Sequence, residues 1–121
     1  QPAHLNAGWF YEPTIVECPD QKMEIVDSEM FGPVLSVLRF KDEDEVIAKA
    51  NDTEYGLACG VWSEKTAKLF RTAHALNCGV GWANGYNLFD PASPFGGVRH
   101  SGFGREGGIA GLWPYLDVGG A

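Results

Sequence analysis

The residue types that most often carry out covalent or metal chemistry are scattered along this 121-residue chain. The thiols and imidazoles are Cys18, Cys59, Cys78, His4, His74 and His100. Their spacing matches no metal-binding pattern, and three widely separated cysteines do not form a disulfide framework. The sequence therefore predicts no metal ligand among them, and the scattered histidines are not assigned to catalysis. It favours cysteines that act as small apolar fillers in the reducing cytoplasm.

A more unusual stretch is residues 94–108, which reads PFGGVRHSGFGREGG and contains six glycines. So many glycines indicate a backbone that turns repeatedly, visits positive φ or lets another surface approach closely. Phe95 and Phe103 need something to pack on, and a flexible linker would lack them. We therefore expect a structured loop with a buried aromatic pair that lines a site or an interface, rather than a solvent loop. Arg105 and Glu106 are a candidate ion pair within it.

Short apolar runs alternate with amphipathic segments, and these elements must hold the glycine-rich stretch in place. Strands are predicted at 14–18, 34–40, 57–62, 80–83 and 112–116, helices at 42–51 and 63–76, and one helical turn within 27–33. This alternation predicts an α/β fold with a partial, mostly parallel sheet and flanking helices.

The sequence also predicts the burial, the caps and the apolar faces of these elements. The nearly continuous apolar run 34–40 predicts a strand covered on both faces. Asp42 and Ser63 are candidate helix caps, and Asp27 or Ser28 is a candidate cap for the single turn. Gly79 is a candidate left-handed cap. The second helix has an apolar face formed by Ala67, Leu69, Phe70, Ala73 and Leu76. Pro114 assigns the last strand to an edge.

Composition excludes some classes of partner. The chain has 16 acidic and 9 basic residues and a formal net charge of -7. This balance disfavours a nucleic-acid surface and attraction to anionic lipid. No apolar run has the length of a membrane span, and no signal segment opens the chain. The first residue, Gln1, suggests a cut or processed start.

Five segments together resemble the aldehyde dehydrogenase superfamily, in the order and spacing of that family. They are residues 29–33 (EMFGP), 51–57 (NDTEYGL), 79–84 (GVGWAN), 94–97 (PFGG) and 101–106 (SGFGRE). The resemblance covers almost the whole chain and corresponds to roughly the last quarter of such an enzyme. It implies that residues 1–121 are the C-terminal portion of the catalytic domain. The nucleotide-binding half, the nucleophilic cysteine and the general base would lie elsewhere.

The resemblance also assigns roles to four residues. Glu29 matches the glutamate that accepts hydrogen bonds from the nicotinamide ribose, and Phe31 matches the aromatic residue at the nicotinamide end of NAD or NADP. Without the resemblance, Glu29 reads as a first-turn helix glutamate and Phe31 as a core residue. Phe89 and Phe95 match positions that line the aldehyde entrance, although Phe89 is equally suited to packing under its own loop.

The resemblance implies part of an NAD(P)-dependent aldehyde dehydrogenase that oxidises an aldehyde to a carboxylic acid. Its partners would be a small aldehyde, the rest of the same enzyme and further copies in a homo-oligomer. The isolated chain is predicted to be inactive because nucleophile and base are missing. The alternative is a non-catalytic assembly module of a tandem or degenerate protein of this kind. Asn84 and Tyr86 are weaker substrate-site candidates, and Val98 and His100 depart from the pattern of many relatives.

Overall fold

The structure is a computed structural model that describes residues 3–5 and 7–117. The chain folds into two compact units, one up to Asp42 and one from Glu43 onward. Both units contain helices and a pair of parallel strands, so the predicted α/β class is confirmed. The parallel pairing is divided between two two-stranded sheets. No helix in the described part of the chain is long and apolar enough to cross a membrane.

The first unit is a small β-α-β arrangement. Strand β1 (Thr14–Glu17) pairs in parallel with β2 (Val34–Val37), and α1 (Glu24–Asp27) lies between them in sequence. The Ser36 hydroxyl donates to the carbonyl of Ile25 at 2.9 Å and so ties the helix to the second strand. Cys18, which follows β1, is buried, and its N–H donates to the carbonyl of Val37 at 2.8 Å.

Two predictions for this unit are wrong. The predicted helical turn within 27–33 does not form, because the turn lies earlier, at α1, and Ser28 is its extended C-terminal cap. Proline also disfavours helical conformation in the residue before it, here Gly32. The second strand is not covered on both faces. Burial alternates along β2, and Leu35 and Val37 are exposed. Within the described residues of this unit, α1 is the only helix, and its four residues are too few to cover both faces of the strands.

The second unit is larger and contains a longer β-α-β arrangement. Its regular elements are α2 (Glu43–Asn51), β3 (Ala58–Val61), α3 (Thr66–Ala75) and β4 (Val80–Ala83). Strands β3 and β4 pair in parallel, and Gly60 lies opposite Trp82. Helix α2 begins directly after Asp42 and ends at Asn51, as the sequence predicts.

Helix α3 departs from prediction at its start and in part of its apolar face, of which Leu69 is buried, Ala73 and Leu76 are half-buried, and Ala67 and Phe70 are exposed. It begins at Thr66 with Lys65 as its cap, and Ser63 instead accepts a hydrogen bond from the N–H of Lys65 at 3.1 Å. The buried side chains are Leu69 and Thr72, whereas the predicted core residue Phe70 is 52% exposed. Thr72 donates to the carboxylate of Glu43 on α2 at 2.9 Å, so the buried side of α3 includes a polar contact that hydrophobic spacing does not predict.

The predicted edge strand at 112–116 is also wrong. Residues Trp113–Tyr115 form a short 3₁₀-helix instead. Pro114 lies in its first turn, where a fixed φ and a missing N–H are both tolerated. A second 3₁₀-helix, Arg99–Ser101, lies within the glycine-rich stretch.

Candidate functional site

Glu29 and Phe31 lie on a loop that is anchored at both ends. The N–H of Ser28 donates to the carbonyl of Glu24 at one end, at 2.8 Å. At the other end, the carbonyl of Pro33 accepts from the N–H of Thr14 at 2.9 Å, so the loop is continuous with the β1–β2 pairing. A loop held by secondary structure on both sides presents its side chains in a defined direction.

Both side chains of this loop are available to a ligand. Phe31 is 95% exposed, and Glu29 is exposed as well. Among the described residues, no hydrogen bond or ion pair reaches the Glu29 carboxylate. The interpretation of Glu29 as a first-turn helix residue is wrong, because it follows the end of α1. The core interpretation of Phe31 also fails in this chain, since the ring has almost no cover.

Phe89 and Phe95 belong to a second feature, a group of four packed rings in the second unit that we call the aromatic cluster. Its members are Trp82, Tyr86, Phe89 and Phe95. The Phe89 and Phe95 centroids are 5.0 Å apart, and Trp82 lies 6.0 Å from Phe89 and 6.4 Å from Phe95. Tyr86 packs edge-to-face on Trp82 at 5.1 Å. Such pairs contribute about 0.5–1.5 kcal/mol each beyond the area they bury.

The cluster lies at the surface, so its rings offer apolar area to a small molecule. Phe89 is 59% exposed and Tyr86 is 62% exposed, whereas Trp82 and Phe95 are half-buried. The indole N–H of Trp82 donates to the carbonyl of Leu88 at 2.8 Å, which ties the loop that carries Phe89 to strand β4.

Asn84 and Tyr86, the two weaker substrate-site candidates, make different kinds of contact. The structure brings Tyr86 into the aromatic cluster. Asn84, with a φ of 49°, instead uses its side chain to bind the backbone of Ser63: it accepts from the N–H at 2.8 Å and donates to the carbonyl at 3.1 Å. Sequence reasoning does not single out Trp82. The available signal is the period of two in β4, which places Val80 and Trp82 on the same half-buried face.

The glycine-rich stretch is ordered by backbone contacts, as predicted. Phe95 and Glu106 form an antiparallel bridge with two N–H to carbonyl bonds of 2.7 Å. The Arg105 guanidinium donates to the carbonyl of Gly97 at 2.7 Å and to that of Gly104 at 2.9 Å, so in the described structure it holds carbonyls and not the Glu106 carboxylate. The predicted burial of Phe103 is wrong, because its ring is 83% exposed.

Gly79 is required by close approach, and its predicted role as a left-handed cap is wrong. Its φ is not in the left-handed region. A Cβ added to Gly79 would meet the carbonyl group of Gly96, with its carbon at 2.7 Å, and the Cα of Gly97 at 2.9 Å. The start of β4 is therefore in backbone contact with the glycine-rich stretch, and this contact helps to place Phe95 beside Trp82.

The cysteines have the properties of structural thiols. Cys18 is buried, and Cys59 and Cys78 are half-buried free thiols. Burial, together with the neighbouring thiol of Cys78, raises the pKa of Cys59 to about 12, so it stays protonated at neutral pH. Across residues 3–5 and 7–117, the His, Cys, Asp and Glu side chains form no group of three or more that could hold a metal.

His100, for which the sequence offers no account, pairs with its neighbours. Its Nδ1 lies 3.1 Å from a carboxylate oxygen of Glu54, and its ring packs edge-to-face on Tyr55 at 6.3 Å. Both partners belong to the NDTEYGL segment. His100 therefore helps to seat the glycine-rich stretch on that segment.

Known proteins resemble this chain over nearly its whole length. A family model described as "Aldehyde dehydrogenase family" matches residues 1–119. The chain is 50% identical over 114 residues to the betaine aldehyde dehydrogenase of Brucella anthropi, an alignment that covers 94% of this chain and 23% of that protein. The chain thus spans about a quarter of the length of the curated relatives it matches.

Solved structures give the same picture. The aldehyde dehydrogenase of Mycobacterium tuberculosis complexed with NAD+ matches with a TM-score of 0.88 and 41% identity, over 95% of this chain and 24% of that one. A putative aldehyde dehydrogenase from Burkholderia cenocepacia matches with a TM-score of 0.89 and 42% identity, over the same shares of the two chains.

Proposed function

This chain belongs to the aldehyde dehydrogenase family, and we propose that it is the C-terminal portion of the catalytic domain of an NAD(P)-dependent aldehyde dehydrogenase. The longer enzyme would oxidise a small aldehyde to a carboxylic acid, with the cofactor accepting the hydride. The observation that carries the proposal is the anchored loop with an exposed Glu29, unpaired among the described residues, beside an almost uncovered Phe31. The carboxylate fits the hydroxyls of a nicotinamide ribose, and the flat ring fits the nicotinamide end of the cofactor.

Glu29 and Phe31 would bind and orient the cofactor. An ionised carboxylate is acceptor-only and engages two hydroxyl donors at once. A flat apolar ring restricts the tilt of a neighbouring planar group and excludes water from its face. Neither residue donates or removes a proton in this role, so both are expected to act through binding and orientation.

The test is NAD(P)+ binding to the longer polypeptide with Glu29→Gln and Phe31→Leu. Losing hydrogen bonds to a charged acceptor costs about 1.5–3 kcal/mol, which weakens the Kd by roughly ten- to a hundredfold. Glu12→Gln and Phe40→Leu are matched controls, because both residues are exposed and lie in the same unit. Equal affinity in Glu29→Gln and Glu12→Gln would refute the cofactor role.

Phe89 and Phe95 would line the aldehyde entrance as part of the aromatic cluster. The support is their mutual contact at 5.0 Å together with their partial exposure, which gives an apolar wall with open area. Phe89→Ala is expected to raise the KM for apolar aldehydes, while the Kd for the cofactor stays constant. Phe103→Ala is the control, since that ring lies in the glycine-rich stretch that carries Phe95 but is not part of the aromatic cluster.

The alternative function, a non-catalytic assembly module, predicts a different polypeptide. An enzyme requires a nucleophilic cysteine and a general base outside these residues, whereas a module does not. The first measurement is the intact mass of the protein from its native source, followed by NAD(P)H formation with a panel of aldehydes. A mass several times 13.1 kDa with turnover supports the enzyme. A mass near 13.1 kDa, or a longer protein without turnover, supports the module; the isolated chain is expected to be inactive in both cases.

A further inference from the structure

Arg99 has a backbone conformation that needs a local reason. Its φ is 56°, in the left-handed region, and it opens the 3₁₀-helix Arg99–Ser101. This conformation costs a residue with a Cβ about 1–2 kcal/mol relative to the right-handed region. The surrounding contacts must hold Arg99 in place.

The Arg99 guanidinium provides those contacts. Its Nη1 donates to the carbonyl of Asn51 at 3.0 Å and to that of Thr53 at 2.5 Å. The side-chain amide of Asn77 is assigned the orientation that satisfies both its oxygen and its nitrogen. In that orientation its oxygen accepts from Nη2 of Arg99 at 2.8 Å and from Nε of Arg99 at 3.2 Å. Asn51 is the last residue of α2, so the cation also lies at the negative end of the helix dipole.

Asn51 extends this arrangement to the end of α3. Its side-chain amide donates to the carbonyl of Ala75 at 2.9 Å, and its side-chain oxygen accepts from the N–H of Asn77 at 2.7 Å. Asn77 lies three residues before β4, which carries Trp82. Arg99 is thus joined through Asn77 and Asn51 to the segment that leads into the aromatic cluster.

The backbone on both sides of Arg99 is bound to the same neighbouring segment. The N–H of Val98 donates to the carbonyl of Gly56, and the N–H of His100 donates to the carbonyl of Glu54, both at 3.0 Å. The N–H of Gly56 in turn donates to the Ser101 hydroxyl at 3.0 Å. A shift of Arg99 therefore moves the glycine-rich stretch relative to residues 54–56.

We propose that Arg99 is a positioning residue that keeps Phe95 against Phe89 and Trp82. Phe95 lies four residues before Arg99, and its other side is held by the bridge to Glu106. The Arg99 guanidinium fixes the opposite end of this segment by binding three acceptors, the carbonyls of Asn51 and Thr53 and the side chain of Asn77. This inference rests on the proposed function of the aromatic cluster as an aldehyde entrance.

The experiment uses the longer enzyme with Arg99→Ala and Arg99→Lys, and with Arg71→Ala as the control. Arg71 is an exposed arginine of the same unit that pairs with Glu43 through two hydrogen bonds. A misplacement of about 1 Å at a site can cost roughly a hundredfold, so we expect Arg99→Ala to lower kcat/KM by about ten- to a hundredfold. The loss should fall on the KM for aldehyde, while the Kd for the cofactor remains unchanged.

Arg99→Lys should restore part of this loss, because one ammonium group reaches fewer acceptors than the guanidinium fork. A purely structural role would lower the active fraction and hence kcat, and would leave KM unchanged. An aldehyde KM of wild-type value in Arg99→Ala would overturn the proposal. If Arg99→Ala does not fold, Asn77→Ala removes one acceptor and is expected to give a smaller change in the same direction.

Hydrogen exchange separates this proposal from the proposed function. In Arg99→Ala, the amides of Phe95, Val98 and His100 should exchange faster, with those of β3 and β4 unaffected. If the wild-type protein has no aldehyde-dependent activity, the proposed function fails and the exchange result alone decides the role of Arg99. Unchanged exchange at these three amides would overturn the positioning role whatever the activity.

Discussion

Gly79→Ala is the change whose effect follows most directly from the structure. The new Cβ would lie 2.7 Å from the carbonyl carbon of Gly96 and 2.9 Å from the Cα of Gly97. Carbon atoms pack best at about 3.5–4.0 Å, so one backbone segment must move by about 1 Å. All of these neighbours are backbone atoms, and no side-chain rotation can relieve the overlap.

The expected cost is the sum of steric and hydrogen-bonding effects. Inserting a methyl group into a packed site costs about 1–3 kcal/mol. The shift also strains the bond from the Val98 N–H to the Gly56 carbonyl, worth about 0.5–1.5 kcal/mol. Replacing glycine by alanine returns about 0.4–1 kcal/mol by restricting the unfolded chain. We therefore expect the local free energy of opening to fall by about 2–3 kcal/mol.

The assay is native-state hydrogen exchange at the amides of Phe95 and Val98, which reports the free energy of opening this stretch. Gly81→Ala is the matched control, because its added Cβ has only the Cys59 sulfur at 3.6 Å as a neighbour, an ordinary contact. That variant should change the free energy of opening by less than about 1 kcal/mol. Equal protection in the two variants would refute the close-approach interpretation of Gly79.

Three further predictions concern single side chains. Because burial raises the pKa of Cys59 to about 12, the thiol should resist alkylation in the folded protein at mildly alkaline pH. The stability that the protonated thiol contributes should be lost between the ordinary thiol pKa of 9.0 and about 12. Rapid modification of the folded protein in a mass-spectrometric time course would contradict this. The hydrogen bond from Arg71 lowers the pKa of Glu43, so the stability this carboxylate contributes is present above pH 4.5 and should be lost as pH falls through its lowered pKa, a dependence that Glu43→Gln should remove from an acid unfolding series. Asn84→Ala removes two hydrogen bonds to Ser63 and leaves an alanine at positive φ, so exchange at the Ser63 amide should accelerate by a factor corresponding to about 2 kcal/mol; wild-type exchange there would contradict it.

The sequence predicts the elements whose signals are local. Strands β1, β3 and β4 lie within the short apolar runs, because β-branched and apolar residues in a short segment favour a strand and can be recognised without knowing its partner. Helix α2 likewise begins after Asp42 and ends at Asn51, where cap residues are present in the sequence itself. The resemblance singles out Phe89 and Phe95 separately, and the structure adds that their rings pack against each other with centroids 5.0 Å apart.

Distant partners explain the elements that are mispredicted. The buried side of α3 includes Thr72 as well as the predicted Leu69, and the Thr72 hydroxyl donates to Glu43, more than twenty residues away. No hydrophobic periodicity within the helix contains that information. Similarly, the apolar pattern at 112–116 does not distinguish a strand from the 3₁₀-helix Trp113–Tyr115, for which Pro114 is equally suited.

Positive φ and glycine do not always coincide in this chain, and composition alone does not show where they differ. Glycines are expected where the backbone is left-handed, yet Asn84, Asn87 and Arg99 have positive φ, while Gly79 does not. Gly79 is needed for the absence of a Cβ, and Arg99 is kept at positive φ by its three acceptors. The two positions therefore respond differently to substitution. Gly79 should tolerate no side chain, whereas Arg99→Gly would remove the backbone strain and still lose the guanidinium contacts. If that variant held Phe95 in the aromatic cluster, relief of strain would suffice; we expect it to behave like Arg99→Ala, because the contacts position the ring.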